Sequence, residues 1–324
     1  MSIRSTQTSS RPLRPFQQQP FSQVPEQPTR PHLYYQSAPY DLEMESTGLG
    51  RLRIHYRAYG SGEPLLLVHG LMTSSYSWRY VLEGLGAHYQ LIMPDLPGNG
   101  RSSAPAVRLS APKLAAWIGE FQAALGLRGC LAVGNSLGGY LVMRQALADP
   151  GAFTRLVNIH APVFPQLRLH ALHTVLSVPG AEDVLGWWIR RDTDRWAHRI
   201  VHYYDDTLKS LEESREYGGP LKAVEGTRAF TSYLRDVMRP ADHAEFIAAL
   251  ERLERDGKPF PMPIQLIYSR LDPLVSPSVG ERLAALIPDA QLNWVDRSSH
   301  FAQVDSPAEV TALILGFMGA DQSR

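Results

Sequence analysis

Apolar and polar positions keep one rhythm over most of the chain and lose it in two places. Arg51 to Gly60, "RLRIHYRAYG", alternates as a half-buried strand does and stops at the turn "GSGEP". "LLLVHG" (Leu65–Gly70), "YQLIMPDL" (Tyr89–Leu96) and "GCLAVGNS" (Gly129–Ser136) are continuous apolar runs instead. Such runs predict strands covered on both faces. Ala111–Leu125 and residues 138–148 have helical spacing, and "RLVNIHAPV" (Arg155–Val163) predicts another strand. The alternation resumes with "IQLIYSRLD" (Ile264–Asp272), a helix near 277–287, "QLNWVD" (Gln291–Asp296) and a helix from Pro307 to Met318. Strands alternating with helices predict an α/β fold, a doubly wound and mostly parallel sheet.

The two departures divide the chain. Residues 164–258 hold no buried strand pattern but carry helical, aromatic-rich stretches such as "VLGWWIRRDTDRWAHRIVHYYDD". An insert of this kind between two sheet strands reads as a helical cap, leaving 40–163 and 259–324 as the core. Residues 1–39 are rich in Pro, Gln and Ser, and Glu26 is the only acidic residue up to Tyr40. With little apolar surface to offset its ordering entropy, this segment is expected to be a disordered tail.

Composition narrows the functional classes. Basic and acidic residues number 32 each, so no net field draws the chain to nucleic acid or to an anionic membrane. No apolar run reaches the roughly 18 residues that a membrane span needs, and no secretory apolar stretch opens the sequence. A single cysteine, Cys130, permits no internal disulfide. A soluble, cytoplasmic protein is the expectation, with its oligomeric state open.

The chemistry concentrates in "LAVGNSLGGYLVMRQAL", Leu131–Leu147. A nucleophile at the end of a parallel strand has to stand clear of the sheet, on a turn too sharp for ordinary side chains. Gly134, Gly138 and Gly139 around Ser136 meet that need, and a helix starting at the serine aims amide N–H groups at the site. A serine hydroxyl needs a base, and the base needs an acid to orient it. Asp272 ends one strand and His300 follows the last, so Ser136, Asp272 and His300 could meet at one sheet edge. Asp95 suits bracing of the Gly-rich loop "PGNGRSS" better, and Asp296, four residues before His300, suits a loop role. The backbone amides of Leu71 and Leu137 are the expected oxyanion donors.

Five motifs, "HGLMTSSYSW" (His69–Trp78), "DLPGNGRS" (Asp95–Ser102), "GNSLGG" (Gly134–Gly139), "SRLD" (Ser269–Asp272) and "SSHF" (Ser299–Phe301), resemble the α/β-hydrolase superfamily in family order. The resemblance implies a serine-nucleophile hydrolase; the triad chemistry needs no metal or organic cofactor, and the aromatic insert points to small-to-medium apolar esters as substrates. "HGLMTSSYSWR" is similar to the loop of haloalkane dehalogenases and epoxide hydrolases, which carry an aspartate where this chain has Ser136. "GNSLGG" resembles the elbow of carbon–carbon bond hydrolases, and cofactor-free haloperoxidases share the triad. A ligand receptor on the same fold is the reading from another class.

The remaining candidates are less specific. His69 is expected to brace the oxyanion loop, and His160 to be a hydrogen-bonded core or rim histidine. His198 and His202 stand i, i+4 without a further ligand pattern, so they read as a packed or solvated pair rather than a metal site. Met72, Trp78, Trp187 and Trp188 are the candidate pocket residues, with Trp196, Tyr203 and Tyr204 as further aromatics of the cap. Leu71, Met72, Trp78 and Leu137 bring no charge, which points to an apolar substrate.

Overall fold

In the computed structural model, which describes residues 15–319, the continuous apolar runs become the middle of one eight-stranded sheet. Its strands are β1 (Ala38–Ser46), β2 (Gly50–Tyr59), β3 (Glu63–Val68), β4 (Tyr89–Pro94), β5 (Cys130–Asn135), β6 (Phe153–Ile159), β7 (Ile264–Ser269) and β8 (Gln291–Val295). They lie in the order β1-β2-β4-β3-β5-β6-β7-β8. β1 pairs antiparallel with β2, and β2 with β4; every other pairing is parallel. Successive side chains of a strand leave by opposite faces. Leu65 and Leu67 of β3 therefore join the hydrophobic cluster on one face, while Leu66 and Val68 join the cluster on the other.

Helices cover both faces. α1 (Leu82–Gly86) and α11 (Pro307–Met318) complete the cluster of Leu65 through Leu82, Leu85, Val310 and Ile314. α2 (Ala111–Leu125), α3 (Leu137–Ala148) and α10 (Pro277–Leu286) complete the opposite one. The ends of α2 show how sequence sets these boundaries. The Ser110 side chain accepts from the Lys113 amide at 3.4 Å, and Gly126 closes the helix at φ +67°. The doubly wound sheet is as expected. β1 had no predicted counterpart, because its first four residues are exposed and it is an edge strand with little apolar signal. β6 stops at Ile159, short of Val163, because His160 turns the backbone at φ +56°.

Between β6 and β7 come α4 (Leu167–Leu176), α5 (Ala181–Arg190), α6 (Thr193–Ile200), α7 (Leu211–Gly218), α8 (Val224–Ser232) and α9 (Pro240–Arg255). No strand interrupts them among the described residues. A buried ion pair ties this helical layer to the core: Arg79, which follows the oxyanion-loop turn, donates to Glu213 of α7 at 2.5 Å. Tyr203 also donates to Glu213, at 2.6 Å.

The tail expectation needs correction over residues 15–37; residues 1–14 lie outside the described residues. This segment runs as a strap across cap and core. The Leu211 and Glu212 amides, in the first turn of α7, donate to the Pro25 and Glu26 carbonyls at 2.8 and 3.1 Å. Arg30 donates to the Val304 carbonyl at 2.9 Å, and Tyr34 is fully buried with its hydroxyl 2.9 Å from that of Ser75. The strap has no core of its own. It is ordered by filling donors that a helix start leaves open and by lending one aromatic ring to the core.

Candidate active site

Ser136 sits between the last residue of β5 and the first of α3, at φ +54° and ψ −120°. A non-glycine residue rarely holds this left-handed backbone, and such strain is found where surrounding structure enforces it. The enforcement is visible. A Cβ on Gly138 would lie 2.1 Å from the Val68 carbonyl oxygen, and one on Gly134 would lie 2.5 Å from the Gly139 nitrogen. Strand and helix approach so closely that only glycine fits. The Ser136 amide donates to the Ile159 carbonyl at 2.7 Å, which locks the elbow to the neighbouring strand.

Asp272 and His300 do meet. His300 Nδ1 lies 2.7 Å from Asp272 Oδ2, with both side chains buried. Asp272 Oδ1 also accepts from the Leu274 and Val275 amides, at 2.7 and 3.0 Å. Burial pushes this carboxyl up, but the His300 imidazole and the amide donors outweigh burial and hold it down at about 2. The carboxylate is therefore charged throughout the neutral range. Asp296 is the exposed partner of Arg270, at 3.4 Å. Asp95 is buried and accepts from the Ser75 and Arg101 amides, each at 2.8 Å, joining the oxyanion-loop turn to the Gly-rich loop.

A second imidazole stands beside the pair. His160 is fully buried, its Nε2 accepting from the Ser269 amide at 2.5 Å and lying 4.0 Å from Asp272 Oδ2. Burial lowers it to about 4, so it is neutral at physiological pH. Donor atoms of His160, Asp272 and His300 lie within 4.8 Å of one another. His160 Nε2, His300 Nδ1 and both Asp272 oxygens are already engaged in hydrogen bonds, whereas His160 Nδ1 is buried without a partner, so the atoms that face one another do not form the open donor set a metal ion requires. His198 Nε2 is 2.9 Å from the Gln19 carbonyl oxygen, a strap contact.

The loop that carries Leu71, the candidate oxyanion donor, follows β3. His69 is buried; its Nδ1 is 2.7 Å from the Gly70 carbonyl oxygen, and its Nε2 accepts from the Leu96 amide at 2.9 Å. The ring thus fixes the turn that presents Leu71. α3 begins at Leu137, so the Leu137 amide has no partner inside the helix. Neither the Leu71 nor the Leu137 amide is engaged by another backbone carbonyl among the described residues.

Ser136, His300, Leu71, Leu137 and Met72 border one cavity of about 360 Å³. The cap closes it with Leu169, Leu172, Leu185, Trp196, Ile200 and Phe230. Three of the four pocket candidates need correction. Trp78 is fully buried in the core, and Trp187 and Trp188 are 57% and 46% exposed. Leu185 faces the cavity and Ile189 is buried, so at 100° per residue Trp187 points the opposite way. Trp188 packs edge-on behind Trp196, with ring centroids 5.0 Å apart. Met72 lines the cavity. Tyr203 is buried among Arg79 and Glu213, outside it. Arg168 lines the cavity and had no signal in the sequence, being one arginine among many at a helix start.

A parallel sheet with an inserted cap and an elbow beside an Asp–His pair defines a hydrolase of the cap-bearing α/β class. Residues 63–307 match the family described as alpha/beta hydrolase fold, and the chain belongs to it. It is 27% identical over 289 residues to haloalkane dehalogenase 2 of Mycobacterium tuberculosis, covering 86% of this chain and 96% of that one. It is 23% identical over 305 residues to bifunctional epoxide hydrolase 2 of Sus scrofa, and spans about half of it, 54%, with 83% of this chain matched. The solved epoxide hydrolase CorEH superposes with a TM-score of 0.71 at 20% identity, over 87% of this chain and 99% of that one, which is a likeness of fold.

Proposed function

We propose that the chain is a serine hydrolase that cleaves small-to-medium apolar esters through an acyl-enzyme. Ser136 Oγ attacks the carbonyl carbon while His300 takes its proton. Asp272 fixes the His300 tautomer and stabilises the imidazolium that forms. The Leu71 and Leu137 amides hold the oxyanion. His300 then protonates the leaving alcohol, activates a water against the acyl-enzyme, and the acid departs as Ser136 recovers its proton.

One observation carries this reading: a strained serine elbow opens into the same cavity as a histidine held at 2.7 Å by a carboxylate that stays ionised. The serine is also what separates this chain from the aspartate-bearing dehalogenase and epoxide hydrolase pattern that its loop resembles. The test is turnover by wild type and Ser136→Ala across three panels: short p-nitrophenyl esters, ring-cleavage diketones, and acetate with peroxide. Ester turnover that vanishes in the variant is the expected result. Activity confined to the diketones or to peroxide would move the same triad to carbon–carbon hydrolysis or perhydrolysis.

A further inference from the structure

The cavity has one polar feature that ester cleavage does not use. Arg168 and His300 are the only ionisable side chains with a basic group among its lining, and Arg168 is the one that the ester chemistry leaves unused. The guanidinium stands at the start of α4, and the first turn of that helix contains no acidic side chain. Arg168 Nε donates to Gln166 Oε1 at 2.9 Å, and Nη2 donates to the Leu274 carbonyl. These two bonds hold the planar fork against the loop that carries Asp272. They do not neutralise it: no carboxylate pairs with Arg168 among the described residues, whereas Arg79, Arg101, Arg108, Arg144 and Arg235 each have such a partner. Asp272 is close enough to act on it through space, but its oxygens are already taken by His300 and two amides.

A cation oriented by two neutral acceptors, exposed at the rim of an otherwise apolar cavity, provides positive charge without a paired carboxylate. We propose that Arg168 is a carboxylate-binding subsite, and that the preferred substrate is an ester with an apolar body and a carboxylate remote from the scissile bond. The Nη1 edge, which no acceptor uses among the described residues, is the donor that meets the anion. Arginine suits this role because its fork matches a carboxylate and keeps its charge at every physiological pH. The inference deepens the ester reading and rests on it for the identity of the reacting bond. Anion binding is separable from turnover.

Calorimetric titration of hexanoate and of hexan-1-ol into wild type, Arg168→Gln and Arg168→Glu measures the subsite without catalysis. Wild type is expected to bind hexanoate about ten-fold tighter than the alcohol, the modest end for a charge-assisted contact, since the arginine is partly solvated. Arg168→Gln should bring the two affinities together and Arg168→Glu should invert them, with hexan-1-ol binding unchanged as the control for folding. Turnover of p-nitrophenyl hydrogen adipate against its methyl ester then reads the same preference in kcat/KM. A hexanoate-to-alcohol ratio that is the same in all three proteins overturns the subsite, even where both ligands bind and Ser136 is active. Loss of ester turnover with the hexanoate preference intact would instead overturn the ester reading.

Discussion

The catalytic edge of the sheet and the cap above it are built on different principles. At the edge, the site's side chains are fixed by backbone: Ser136 by a turn that only glycines can flank, Asp272 by the Leu274 and Val275 amides, and the loop-bracing His69 by hydrogen bonds at both ring nitrogens. In the cap, position depends on which side of a helix faces inward. Trp187 and Trp196 belong to neighbouring helices, yet one is exposed and the other lines the cavity. The edge can therefore keep one chemistry while the cap changes substrate by rotating or exchanging a few side chains.

The sharpest way to break the comparison is to perturb the edge. Asp272→Asn keeps the shape but lets the His300 ring take the wrong tautomer and leaves its imidazolium unsupported. Ester kcat should fall on the order of 10³-fold or more, with KM little changed. A loss under ten-fold would mean that the acid is not a member of the reacting group.

The second perturbation is aimed at the cap. Glu213→Gln leaves the Arg79 guanidinium buried without its counter-charge, and such a loss costs about 3–5 kcal/mol. Denaturant unfolding should register it, while the folded fraction retains its elbow chemistry. Equal stability of the two proteins would show that the ion pair is not what fastens the cap.

A third prediction concerns the seam between the two regions. Asp305 accepts from the Ser299 amide beside His300 at 2.7 Å and from the Tyr204 amide of the cap at 2.9 Å. Burial raises this carboxyl from 3.8 to about 7, despite those donors. The folded state therefore holds the proton more tightly than the unfolded state. Its contribution to stability is complete below about pH 4 and is lost as pH rises through 7. Wild type should lose stability relative to Asp305→Asn as pH rises from about 4 to about 7, and the difference should level off above that. A difference that does not change with pH would place the carboxyl at its ordinary value.

The smallest effect belongs to the cavity. Each methylene that fits the apolar lining should improve kcat/KM by roughly 0.8 kcal/mol until the cavity is full, after which the series should decline. A series that climbs steadily into long-chain lipids, with activation at an oil–water interface, would contradict a closed pocket.

The same contrast explains what the sequence disclosed. The β3, β4, β5 and β7 runs are unbroken because both faces of the sheet are covered, and the elbow glycines advertise a clash that any side chain would make. Asp272 and His300 were legible because parallel strands bring their loops to one edge. The pocket was less so: aromatic content in α5 and α6 suggested a lining but not its direction, although the Leu185–Ile189 spacing carries that information. The strap was misread because its order comes from α7 and from the core, partners that composition cannot reveal.

Incubation with a fluorophosphonate followed by intact and peptide mass measurement addresses the central claim most directly, because it asks whether Ser136 is an activated nucleophile regardless of substrate. The account predicts one stoichiometric adduct, carried by the peptide containing Ser136, absent from Ser136→Ala and strongly slowed in Asp272→Asn. An unmodified Ser136 in folded wild-type protein, or an adduct of equal yield in Ser136→Ala, would contradict it.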